Sequence, residues 1–382
     1  MSVLEGVRVV EIEGIGPGPF CAMLLADLGA DVVMVQRTRS TGDVSDLGEA
    51  AIQHRGKRSV AVDLKSAQGV QVVLQLLEQA DCLVEGMRPG VTERLGLGPD
   101  ACLARNPRLV YGRMTGWGQT GPLAPAAGHD LNYLALSGAL WYASPAGTPP
   151  FTPPTVVGDV AGGALYLAIG LLAGILNARA TGRGQVVDAA IVDGAAHMLN
   201  LLLALRASGN LEIERGASLI DGSHWSGTYR CADGRFVAVQ SLEPRFYAVL
   251  LERLGLAADP DFARQYDTRS WPRARQRLAE LFATRPRDAW CALLEGTDAC
   301  FAPVLDPEEA ARHPHNVARG VFSTRDGMLQ ADPAPRFSKS PPPPHRPIPA
   351  RGEHTIEVLR QAGLDEAQLQ GLIASGAVAQ AR

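Results

Sequence analysis

The sequence predicts an α/β protein: a parallel sheet covered by helices, followed by a smaller α+β domain. Three observations predict it. Residues 7–13 are a β-branched run, 20–29 read as a helix and 31–36 as a second strand, which together make a βαβ unit of the kind that builds parallel sheets. The same alternation continues to about residue 114, and beyond Asn210 it gives way to a hairpin and a group of helices. At 382 residues, with 46% hydrophobic and 20% charged side chains, the chain is long enough for two cored domains of ordinary globular composition.

The elements follow in order. The turn Gly14-Ile15-Gly16-Pro17-Gly18-Pro19 opens the first helix, with Pro19 suited to its first position and Gly29 to its C-cap. Residues 59–64, 82–85 and 109–114 read as strands, separated by helices at 68–79 and 101–106. Two Gly/Pro-rich loops, 116–125 and 146–154, precede His129 and Asp159, and chemistry tends to sit on loops at strand ends. An uncharged, apolar stretch at 161–176 comes next, then a short strand at 185–188 and an apolar helix at 189–206. Strands at 228–231 and 235–240 flank Ala232-Asp233-Gly234, a hairpin signal. Helices at 244–254, 272–284 and 287–294 and a strand at 300–304 complete this part. Residues 331–350 are proline-rich and read as an extended tether, and Gly352-Glu353-His354-Thr355 starts a last helical segment.

Composition narrows the functions. A net charge of −4 argues against nucleic-acid or anionic-membrane partners. Cys21, Cys82, Cys102, Cys231, Cys291 and Cys300 are scattered without metal-type spacing, so neither a zinc site nor a disulfide framework is expected. The first residues do not read as a signal peptide, and 161–176 is shorter than the ~18–20 apolar residues of a membrane span. A cytoplasmic protein with a buried core helix is the expectation.

The glycine turn lacks G-x-G-x-x-G spacing, and its two prolines remove amide donors that a dinucleotide pyrophosphate needs. Basic residues fit a polyphosphate ligand better: Arg37, Arg55-Gly56-Lys57-Arg58, Lys65, Arg88 and Arg94 follow successive elements and are expected to gather at one sheet edge. Taken singly, His129 reads as a loop histidine, Asp159 equally as an N-cap or a catalytic group, and Glu243 as a first-turn carboxylate. His197 reads as a core histidine, Cys300 as buried and inert, and Met23, Met87 and Met198 as packing residues.

Gly14–Asp27 (GIGPGPFCAMLLAD), Gly29-Ala30-Asp31-Val32-Val33, Gly56-Lys57-Arg58-Ser59, Arg88-Pro89-Gly90-Val91, Gly116-Trp117-Gly118-Gln119-Thr120-Gly121-Pro122, residues 181–185 and 352–355 resemble the class III CoA-transferase family, in the same order along the whole chain. Ala127-Gly128-His129-Asp130 and Leu242-Glu243-Pro244 resemble its α-methylacyl-CoA racemase branch. The resemblance implies a Rossmann-like large domain from both chain ends (1–205 and 330–382), linkers at 206–225 and 315–345, a small α+β domain at 226–314, and an interlocked homodimer. It implies that Arg37, Val62, Asp63, Leu64, Lys65, Arg88 and Arg94 bind CoA, that Gly128 belongs to the loop along the pantetheine, and that no cofactor is needed beyond the CoA of the substrate. His129 and Asp159 match the acid/base pair, and Glu243 of the partner subunit matches the carboxylate that orients the histidine.

The implied reaction is racemisation of α-branched acyl-CoA thioesters by 1,1-proton transfer. The alternative is a CoA-transferase in which Asp159 forms an acyl anhydride. Inversion needs a base on each face of the α-carbon and donors for the enolate oxygen, for which backbone amides at the start of the helix after Asp159 are expected. A histidine at 129 favours proton transfer, since transferases of the family usually carry a tyrosine or similar residue there. Ser223-His224-Trp225 and Gln240-Ser241 depart from the racemase pattern, which predicts an acyl pocket reshaped by Trp225 for a more polar or compact acid.

Overall fold

The computed structural model describes residues 1–40, 42 and 47–381. It divides into two compact units, one made of Met1–Ala139, Thr152–Met198 and Phe322–Arg382, the other of Leu140–Phe151 and Leu199–Val321.

The first unit is built on a seven-stranded sheet. Along the chain run β1 (Arg8–Ile12), α1 (Pro17–Asp27), β2 (Asp31–Gln36), β3 (Arg58–Val62), α2 (Ala67–Leu77), β4 (Cys82–Glu85), α3 (Val91–Arg94), α4 (Pro99–Arg105), β5 (Val110–Thr115), α5 (Asp130–Ser137), α6 (Leu165–Thr181), β6 (Gln185–Ala190) and α7 (Ile191–Met198). The strands lie in the order β3-β2-β1-β4-β5-β6, all parallel, and the terminal strand Val378–Ala379 adds antiparallel to β3. Strands buried on both faces must be apolar at successive positions, which is why β2 reads Val32-Val33-Met34-Val35 without alternation. The pleat still sorts them. Val9, Val32, Val84 and Val110 pack under α1 and α6, while Val10, Val33, Leu83 and Tyr111 face α2, α4 and the C-terminal helices Thr355–Gln361 and Glu366–Ala374.

The apolar stretch expected at 161–176 is longer than the sequence suggested. A π-helical segment, Val156–Ala164, runs directly into α6, so the continuous helix spans Val156–Thr181, 26 residues, and is long and apolar enough to cross a membrane by length and composition. In this unit Leu167, Ala168, Leu171 and Ile175 pack into the core, while Leu165, Ile169 and Leu176 stay exposed along the other side. The expectation of a wholly buried helix is therefore corrected. The helix expected at 189–206 is also two elements, because β6 extends through Ala190 and the chain leaves the first unit at Met198, before the helix Asn200–Ala207. No regular structure forms between residues 332 and 350.

The second unit holds an antiparallel sheet of Ser226–Arg230, Phe236–Gln240 and Phe301–Val304, with the expected hairpin joining the first two. Helices Pro244–Leu254, Trp271–Phe282 and Arg287–Leu294 close over it around Trp225, Phe262, Phe282 and Trp290.

The π-helical segment and α7 meet backbone to backbone. A Cβ on Gly194 would stand 1.9 Å from the carbonyl oxygen of Gly162. Gly194→Ala must force the two helices apart, and it should destabilise the chain by about 3 kcal/mol, the upper range for overpacking. A lowered urea midpoint at constant slope is the expected result; an unchanged midpoint contradicts this packing.

Candidate active site

The chain winds from β1 to one side through β2 and β3 and to the other through β4, β5 and β6, so the connections after β1 and β4 part at the carboxyl edge of the sheet. Such a switch point leaves a crevice, and ligands of open α/β sheets bind there. A cavity of about 320 Å³ occupies it, walled by Gly16 and Pro17 after β1, Met87 and Arg88 after β4, and Trp117 after β5. Gly128, His129 and Asp159 line the same cavity.

Each wall is tied to a buried anchor. Glu85 ends β4 with its carboxylate buried; it accepts the Met87 N–H at 2.7 Å and Arg113 Nε at 3.0 Å, which pins the turn carrying Met87 and Arg88. Burial pushes the Glu85 carboxyl up, and the Met87 amide and Arg113 oppose it. On α5, Tyr133 packs edge-on against Trp117 with ring centroids 4.7 Å apart, and its hydroxyl donates to the Gly128 carbonyl. His129, at the N-cap of α5, is exposed, and its backbone N–H donates to Asn132 Oδ1 at 3.0 Å.

Asp159 sits within the π-helical segment, past its N-cap Thr155, so the N-cap reading does not hold. One Asp159 oxygen lies against Gly16, where even an added Cβ would be 3.6 Å away. The Asp159 N–H donates to Asp130 Oδ1 at 2.8 Å, and the Val160 N–H to the Thr155 carbonyl at 3.0 Å. The Val160 amide, one of those expected to serve an enolate oxygen, is thus already engaged. Burial, then the nearby Asp130 carboxylate, raises the Asp159 pKa to about 6, with His129 opposing. An imidazole and a carboxyl group thus line one cavity.

The remaining candidates separate. Arg37 follows β2 and is exposed, its backbone N–H on Glu13 Oε2 at 3.0 Å. Val62 ends β3 buried, Asp63 and Leu64 are half-buried, and Lys65 is exposed. Arg94 closes α3, its guanidinium near Gly90. These residues lie along the same carboxyl edge as the cavity but do not line it, whereas Arg88 does. The expected convergence fails for Arg55, Lys57 and Arg58. Arg58 starts β3, at the opposite edge, and pairs with Asp31 at 2.6 Å. Arg55 pairs with Asp27 at 2.6 Å. Lys57 is buried with Glu11 at 2.6 Å and also donates to the Pro19 carbonyl at 3.0 Å, so it braces the start of α1.

Glu243 belongs to the second unit, exposed, just before Pro244–Leu254, and its side chain makes no capping bond. The backbone ahead of it is clamped. Gln265 Nε2 donates to the Ser241 and Leu242 carbonyls at 3.0 Å each, and Tyr266 donates to Leu242 O at 2.9 Å. Ser223, His224 and Trp225 are fully buried here, which overturns the expected acyl pocket. The Trp225 carbonyl accepts the Ser241 N–H at 3.0 Å, so the two departures from the racemase pattern are one packed unit beneath Glu243. His224 Nε2 bonds the Tyr247 hydroxyl at 2.6 Å, and burial, with Arg275 adding to it, holds the imidazole's pKa down to about 4. Cys300 is exposed with a left-handed φ of 50°, and His197 is exposed with Nδ1 on the Tyr166 hydroxyl at 2.7 Å; neither is the core residue expected. Sequence reasoning missed Trp117, Tyr133 and the role of Asp130, although Tyr133 lies one helical turn after His129.

The family model for CoA-transferase family III matches residues 4–355. The chain is 42% identical to the alpha-methylacyl-CoA racemase of Mus musculus, over 96% of this chain and 95% of that protein. It is equally identical to the alpha-methylacyl-CoA racemase of Homo sapiens, over 97% and 96%. A crystal structure of a CAIB/BAIF family protein from Brucella suis matches with a TM-score of 0.80 at 26% identity, covering 94% of this chain and 99% of that one.

The buried His224 makes a pH prediction. Burial lowers its pKa to about 4, whereas an unfolded histidine takes its proton near ~6.5. Between those values the unfolded state binds more protons, so stability declines as pH drops from about 6.5 to about 4, by roughly 3 kcal/mol from this group. His224→Gln should remove that part of the slope in urea titrations followed by tryptophan fluorescence; an identical slope in both proteins contradicts it.

Proposed function

Because this chain belongs to CoA-transferase family III, we propose that it racemises α-branched, 2-methyl-type acyl-CoA thioesters through His129 and Asp159. The observation that carries the reading is the meeting of these two residues in one cavity at the sheet's switch point. The 42% identity to two alpha-methylacyl-CoA racemases supports the substrate class.

The thioester's α-carbon lies between the two groups. One removes the α-proton, the C–H electron pair passes into the enolate, and the other returns a proton to the opposite face. One C–H bond breaks and one forms, so the step balances without a redox partner or cofactor. An Asp159 pKa of about 6 lets this carboxyl group take up and release a proton near neutral pH. The positive end of the helix that begins at Val156 favours the developing enolate charge. Arg88, at the cavity, and Arg37, Lys65 and Arg94, along the same edge, hold the phosphates and nucleotide of CoA, with Val62-Asp63-Leu64 beside them and Gly128 along the pantetheine. Glu243 orients His129 from a second copy of the chain, in an interlocked homodimer. The exposed stripe of Leu165, Ile169 and Leu176 supports burial against such a copy.

Incubating 2-methylacyl-CoA in D₂O should give α-deuterium uptake and racemisation, and His129→Ala and Asp159→Asn should each lower the rate at least ~10²-fold. CoA transfer between acids, with a hydroxylamine-trappable acyl-Asp159 and no exchange, would make the protein a transferase instead.

The shared site has its own test. Co-expression of His129→Ala and Glu243→Gln chains yields heterodimers in which one of two sites is intact, and they should regain about half of the wild-type activity per dimer. If Glu243 acted within its own chain, no activity would return.

A further inference from the structure

We propose that Asp130 is a positioning residue that couples the two bases, its carboxylate holding the backbone of Asp159 at a set distance from His129. The inference rests on the two-base reading above. Asp130 is the residue after His129 and the first of α5, so its Cα is one peptide from the histidine's. Its side chain turns inward, is 8% exposed, and accepts the Asp159 N–H at 2.8 Å. One side chain therefore links the loop of one base to the helical segment of the other, elements 29 residues apart in sequence. Gly158 makes room for it: a Cβ there would lie 2.3 Å from Asp130 Oδ1 and 3.0 Å from its Cγ. The residue before one base is shaped to admit the carboxylate that follows the other.

The link also carries charge. A neutral acceptor would suffice for the hydrogen bond, yet a second carboxylate beside a half-buried one disfavours its ionisation. Asp130 is the second largest cause of the raised Asp159 pKa. The other titratable groups on elements around Asp159 are His129 and Tyr133 from the α5 side, Arg88 from the turn after β4, Tyr166 and Arg179 on α6, Asp193 and His197 on α7, Tyr111 and Arg113 on β5, Asp188 on β6, and Cys21 and Asp27 on α1. His129 alone among these adds to Asp130 as a resolved charge acting on Asp159, and it acts in the opposite direction. Asp130 thus raises the proton affinity of Asp159 while it fixes the geometry.

Two variants separate the two effects. Asp130→Asn keeps an oxygen acceptor and removes the charge: the acidic limb of the exchange-rate profile should move to lower pH, with the maximal rate within about tenfold of wild type. Asp130→Ala removes both, and kcat should fall ~10²-fold with KM within about threefold, because a misplaced base costs the chemical step more than binding. Gly158→Ala, which displaces the carboxylate, should reproduce the alanine phenotype. An unmoved limb in Asp130→Asn, together with a kcat loss under about threefold in Asp130→Ala, overturns the proposal. The titration of the Asp159 carboxyl by isotope-edited infrared spectroscopy, with Asp159→Asn as the blank, requires no turnover. If wild type performs acyl transfer without exchange, the racemase reading fails while the infrared shift between wild type and Asp130→Asn still decides the coupling.

Discussion

The first unit depends on backbone contact between the helical segment from Val156 and α7. Gly194 lies against the Gly162 carbonyl with no room for a side chain, which draws the segment down over the sheet edge and carries Asp159 to the crevice. A π-helical turn holds one residue more than an α-helical turn and recurs at functional sites. Here the π geometry spans Val156–Ala164 and places Asp159 against Gly16 on one side and Asp130 on another. Glycine costs helix stability by itself, so this stretch is held by packing and not by propensity.

Buried charge serves two purposes in this unit. Glu11–Lys57 and Glu85–Arg113 are paired and hydrogen-bonded, and each braces a turn that walls the cavity: Lys57 through Pro19, Glu85 through Met87. A buried pair is weak evidence for stability, but its loss of one partner is costly, so these turns are held firmly in place. Among the described residues no lysine or arginine forms an ion pair with Asp159, and burial raises its pKa to about 6. The scaffold's carboxylates Glu11 and Glu85 are paired, whereas Asp159, the proposed base, is held beside a second carboxylate.

The second unit shows how a local departure in sequence can be structural. Trp225 and Ser241 looked like two separate changes to a pocket. They are joined by a backbone hydrogen bond in one core, under the segment that Gln265 and Tyr266 clamp ahead of Glu243.

Sequence by itself determined the parallel sheet, the hairpin of the second unit, the family, and the identity of the polar residues worth watching. Hydrophobic runs, turn residues and motif order are local properties, and they survive without coordinates. The fate of each charge was another matter. Arg55, Lys57 and Arg58 read like Arg88 and Arg94, yet Asp27, Glu11 and Asp31 claim them, because partners are chosen by strand order and not by spacing along the chain. Asp159 read as a cap because its helix seemed to begin after it, and only packing against α7 extends that helix back to Val156. The tertiary structure alone decided that His129 and Asp159 share a cavity and that Asp130 joins them. Those contacts bring together residues 29 and 30 apart, through a switch point that exists only once the sheet has formed.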